Sequence, residues 1–104
     1  MSFTFQLVRE DEGAPAAVVF EDNSSPGLVP VWEAAGVYDA LYNSDGRIAR
    51  DVSRALAYGL DRLNDDASLG NLLPPGVSMG EAIRFLENVN RGCIIHGVAH
   101  IQTR

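Results

Sequence analysis

The sequence predicts a small α+β domain: an antiparallel sheet made of an N-terminal hairpin and a C-terminal strand, covered on one face by two or three helices. Three observations lead there. Apolar residues alternate at both ends of the chain, and three-and-four spacing fills the middle. A length of 104 residues provides for one core and no second, so residues 1–104 are read as a single domain.

Phe3, Phe5 and Leu7 alternate with Thr4, Gln6 and Val8, as in a half-buried strand. The turn-like stretch Glu10-Asp11-Glu12-Gly13-Ala14-Pro15 then leads to a second apolar run, Ala16 to Phe20, which completes the hairpin. After the break Asp22 to Gly27, Pro30 can enter the first turn of a short helix. Its apolar positions are Val31, Ala34, Ala35, Tyr38, Leu41 and Tyr42, with an interruption near Gly36. A longer helix is expected from Arg47 to Asn64, on Ile48, Val52, Ala55, Leu56, Gly59, Leu60 and Leu63, with Ser44 or Asp45 as its cap. Asp65 to Gly76 reads as loop. Ser78-Met79-Gly80-Glu81 has the form of a capping box, opening a helix on Met79, Ala82, Ile83, Leu86 and Val89 that Gly92 should stop. Cys93 to Thr103 alternates again and is expected to be the third strand. Placing His96, Val98 and His100 on its open face predicts a homodimer that covers that face.

The formal net charge is −6, and all eight basic residues are arginine. Residues 1–45 carry eight acids against Arg9 alone, whereas residues 46–104 carry six acids against seven arginines. An acidic front half disfavours nonspecific nucleic-acid binding, which depends on neutralising phosphates, and suits a basic partner surface. Trp32, Glu33, Tyr38, Asp39 and Tyr42 place large amphipathic side chains beside acids, a make-up common in protein-binding surfaces. The most favoured function is therefore a non-enzymatic acidic interaction module that binds a protein partner, as a phage accessory, inhibitor or immunity-type protein would. No apolar run approaches a membrane span or a secretion signal. The single Cys93 excludes an internal disulfide and fits the cytoplasm.

One alternative is a small-ligand or nucleotide-sequestering protein using Gly46, Arg47, Arg50 and Arg54, since exposed amides at a helix start and nearby guanidinium groups attract anions. Asp51 is placed to neutralise Arg47 and Arg54 instead. A second alternative is a small enzyme using His96 or His100 at a dimer interface. On a strand these two histidines stand about 13 Å apart, too far to share a metal, and Cys93 and His96 point to opposite faces. No metal, cofactor or catalytic residue is therefore expected.

Trp32-x-x-Ala35-Gly36, Gly46-Arg47-x-Ala49-x-Asp51-Val52, Leu56-x-x-Gly59, Phe85-Leu86 and the end containing His96 together resemble small uncharacterised proteins of actinobacteria and their phages, over about residues 25–104. Leu72-Leu73-Pro74-Pro75-Gly76 stands where those proteins carry an Asn-Pro-rich segment. The resemblance implies an accessory protein of a phage or mobile element and brings no catalytic residue.

Overall fold

The computed structural model describes residues 2–11 and 13–104; Glu12 of the acidic turn lies outside the described residues. Strands β1 (Phe3–Arg9), β2 (Ala17–Ser24) and β3 (His100–Thr103) form an antiparallel sheet in the order β2-β1-β3. This is the expected joining of hairpin and C-terminal strand. The register sets Leu7 between Phe20 and Ile101 on the core face, and Gln6 between Glu21 and Gln102 on the open face. Leu7 pairs with Phe20 and Val8 with Val18, so Val19 is the extra residue of a bulge. The open face is polar. Thr4 Oγ1 donates to Asn23 Oδ1 at 2.6 Å, and Gln6 Nε2 donates to Glu21 Oε1.

Four helices follow the hairpin: α1 (Val29–Ala35), α2 (Tyr38–Tyr42), α3 (Ser53–Asp65) and α4 (Met79–Ile95), with 3-10 turns at Pro26–Leu28, Ala49–Asp51 and Ala67–Leu72. Gly36 breaks the first helical stretch where the sequence predicts, by adopting φ +80°, a conformation that costs glycine little. Ser78 caps α4, its side chain accepting from the Glu81 amide at 3.2 Å. The core is one cluster. Phe5, Leu7 and Ile101 from the sheet meet Val31, Trp32, Leu41, Leu56 and Leu86 from the helices, all fully buried.

Several boundaries differ from expectation: β2 runs on to Ser24, into the break expected from Asp22, where cross-strand pairing with β1 continues, and the stretch expected as loop after α3 holds the 3-10 turn Ala67–Leu72. The helix predicted from Arg47 begins at Ser53, because the backbone before it is taken by the chain's far end. Gly46 and Ala49 donate to Ile101 and Ala99, Ile101 donates back to Arg47, and Arg50 donates to Gly97, at 2.8–3.0 Å. Residues 46–50 thus run beside residues 97–101, with an isolated bridge between Ile48 and His100, and cover that edge, while β2 forms the other edge of the sheet. Neither Ser44 nor Asp45 caps a helix; the Asp45 carboxylate accepts from the Thr103 amide at 2.7 Å.

At the other end, α4 runs past Gly92 to Ile95. Gly92 is helical, and its role is contact: a Cβ there would stand 2.9 Å from the Phe20 ring. The strand expected from Cys93 therefore shrinks to His100–Thr103. Ile94 and Ile95, which alternation would place on opposite faces, are both 65% exposed on the last turn of α4.

Candidate functional sites

The segment offered for anion binding is occupied by the clasp just described. The amides of Gly46, Arg47 and Arg50 donate to the carbonyls of Ile101, Ser44 and Gly97, so none is free for a ligand. No long helix begins there to lend its dipole. Arg54 lies in the first turn of α3, beyond this segment. Among the described residues the recorded ion pair is Arg9–Asp11 at 3.1 Å, and Asp51 is not joined to Arg47 or Arg54 as the spacing predicts.

The proposed partner surface divides. Trp32 is fully buried, its ring tilted against Phe85 at a centroid distance of 5.8 Å. It belongs to the core and is removed from any contact surface. Glu33 and Asp39 are exposed on α1 and α2, and Tyr38 and Tyr42 are half-buried, stacked at 4.9 Å with rings 10° apart. Of the acids in the first 45 residues that are described, all but the half-buried Asp22 are exposed. Several are held by neutral donors. Glu21 accepts from Gln6, Asp22 from Asn88 and the Asn23 amide, Asp39 from Asn43, and Asp45 from Thr103.

The structure places the histidines and the cysteine differently from the alternating strand expected over Cys93 to Thr103. His96 terminates α4, Val98 lies in the following turn, and of the three residues expected on the open sheet face only His100 is there. The reason for a homodimer across that face goes with them. Cys93 and His96 share a helix, not opposite faces of a strand, but the thiol is fully buried and pushed up to about 12 by burial. That is the reverse of what a nucleophile needs. Among the described residues no group of three or more His, Cys, Asp or Glu side chains could hold a metal ion. No helix of the described residues is long and apolar enough to cross a membrane.

Two cavities at one end of the sheet escape sequence reasoning. One, of about 310 Å³, is bordered by Ser24, Leu28 and Phe85; the other, of about 320 Å³, by Phe3, Tyr42 and Arg104. Ser2 lines both. Phe3 links them, stacked on Tyr42 at 4.0 Å and 16°, edge-on to Phe85 at 6.4 Å, and paired across the sheet with Ser24. The Tyr42 hydroxyl is pushed up by burial and by the neighbouring Tyr38. The pairing of Ser24 with Phe3 depends on hairpin register, and the approach of Tyr42 on tertiary packing, so no local pattern could have signalled this grouping.

No protein-family model, curated protein or solved structure matches this chain, and a functional reading rests on its own geometry.

Proposed function

We propose that the chain is a non-enzymatic interaction module that presents oriented carboxylates to a basic protein partner. The observation that carries this reading is the way its carboxylates are held. Glu21, Asp22, Asp39 and Asp45 accept from amides and a hydroxyl, not from cations. Neutral donors fix the side chains without cancelling their charge, so an arriving guanidinium or ammonium group meets them already ordered. Such a field speeds encounter and selects partners by sign. It also opposes nonspecific attachment to nucleic-acid backbones. The likeness to small actinobacterial and phage proteins supports a role as an accessory, inhibitor or immunity-type protein. The lone buried Cys93 fits a reducing compartment such as the cytoplasm.

The test reverses Glu33 and Asp39, which are exposed and outside the sheet. Immobilised Glu33→Arg/Asp39→Arg protein, verified as folded by circular dichroism, should lose at least about tenfold of the polypeptide capture of the unchanged protein. The lost partners should also be those released by salt. Equal capture by the two proteins, or capture indifferent to salt, would overturn the reading.

A further inference from the structure

We infer that the outer face of α4 binds a second copy of this chain, antiparallel across a two-fold axis, with Glu87 of each copy facing Arg91 of the other. This face is not the open sheet face on which the sequence predicts a dimer, and the inference does not depend on the basic-partner reading.

Three sides of α4 are occupied within the domain. Leu86, Val89 and Cys93 are fully buried in the core, Asn88 Nδ2 donates to Asp22 Oδ2 of β2 at 3.3 Å, and Asn90 Oδ1 accepts from Ser53 Oγ of α3 at 3.2 Å. The fourth side carries Gly80, Arg84, Glu87, Arg91 and Ile94 at four- and three-residue steps, every one of them exposed. Such steps make one continuous seam, the pattern by which one helix lies along another. Arg84, Glu87 and Arg91 are spaced for pairing along their own helix, yet none is in an ion pair among the described residues. At the end of the seam Ile94 and Ile95 are each 65% exposed, and Val98 in the turn beyond is 57% exposed. Apolar side chains scattered singly are normal on a surface, but three within five residues form the kind of patch that interfaces cover.

Charge and spacing point to the same helix as the occupant. When two copies of α4 lie antiparallel with Glu87 opposite Arg91, the seam complements itself along its length. Arg84 then falls opposite Ile94, and Gly80 comes nearest the turn that holds Val98, each contact occurring twice. An arginine stem covers apolar surface while its guanidinium stays in water. The other register that satisfies Glu87 sets it against Arg84 and carries Ile94 past Met79, where α4 begins, so the isoleucines select the first. With 17 residues, α4 is about 25 Å long, and a single helix pair makes a smaller contact than the roughly 1,200–2,000 Å² of standard interfaces. The dimer is therefore weak and reversible.

Sedimentation equilibrium of the full chain, loaded from micromolar to millimolar concentration, should give a monomer–dimer equilibrium with a dissociation constant on the order of 10–100 µM. Glu87→Arg and Arg91→Glu, each verified as folded by circular dichroism, should each weaken association at least about tenfold, because like charges then meet twice across the axis. An equimolar mixture of the two variants restores opposite charges at both contacts and should recover the original affinity as a heterodimer. Glu87→Arg also makes the chain less negative, so weakening there separates a specific contact from general repulsion between acidic chains. Ile94→Ser/Ile95→Ser should weaken association without altering either charge. A monomer at every concentration would overturn the inference, as would growth beyond the dimer. So would a dimer indifferent to these substitutions, which would place the contact on another surface, or a mixture that associates no better than either variant alone.

Discussion

The helical interior and the Phe3–Phe85 end of the sheet belong to one core but are packed by opposite rules. In the interior, a glycine lets a neighbouring side chain pack against the helix backbone. A Cβ on Gly59 of α3 would collide with Val37 Cγ1, with Ala35 O and Leu86 Cδ2 each at 3.5 Å. At the sheet end there are two cavities and buried hydroxyls without partners. Close packing with every polar atom satisfied is what stability alone selects. The sheet end departs from close packing in its cavities, whereas unpaired buried polar atoms occur in both regions, Trp32 Nε1 in the interior and Ser24 Oγ and Tyr42 Oη at the sheet end.

The largest effects should come from the interior. Gly59→Ala forces a methyl into Val37 and is expected to cost roughly 3 kcal/mol in a denaturant titration. Adding Val37→Ala should return part of that loss, giving a measurable coupling between the two positions. Gly92→Ala should cost less, about 1 kcal/mol, because the obstructing Phe20 lies on an edge strand and is only half-buried. Equal costs at the two glycines would mean that the interior is not the tighter region.

Alkaline titration is expected to have an intermediate effect. The Cys93 thiol stands at about 12 in the folded chain against an ordinary 9.0. Above pH 9 the unfolded chain releases a proton that the folded chain keeps, so this contribution is complete below pH 9 and is lost as the pH rises toward 12. The raised Tyr42 hydroxyl acts with the same sign above its ordinary 10.0. Unfolding midpoints should fall through this range, and less steeply in Cys93→Ala. A thiol reagent should leave Cys93 unmodified at neutral pH until denaturant is added. Rapid modification of the native protein would show that this part of the core is open.

The smallest effects belong to the loose end. Removing a hydroxyl that has no partner relieves an uncompensated burial, so Tyr42→Phe and Ser24→Ala should be neutral or stabilising by up to about 1 kcal/mol. Thermal melts check this. A loss of more than about 1 kcal/mol from either would mean that the hydroxyl is already satisfied and that the contrast is false.

Much of the fold was legible because it is local. Strict alternation in Phe3–Val8 marks a strand with two unlike faces, Ser78 has the form of a helix cap, and Gly36 supplies a left-handed residue where apolar spacing falters. Sequence and structure differ where a distant segment decides the outcome. Residues 47–52 have helical spacing, yet their backbone groups are bonded to residues 97–101, and tertiary hydrogen bonding overrides propensity there. Gly92 reads as a stop because glycine's two uses, turning the chain and admitting a neighbour, look alike in sequence. Reading it as a stop assigns the apolar run Cys93–Ile95 to a strand, where the structure continues α4. Trp32 beside Glu33 and Tyr38 has the composition of a contact surface, but only packing reveals that the indole is interior.

The clasp between residues 46–50 and 97–101 also has a kinetic consequence. It ties the base of a long excursion, from Asp51 to His96, that contains α3 and α4. Closing so long a loop carries an entropic cost that is recovered only after the two helices have docked and brought its ends together. The hairpin can form early from neighbouring residues, whereas β3 and its flanking segment must wait for the excursion to close. This domain should therefore fold more slowly than its helix content implies, at the pace of its most distant contacts.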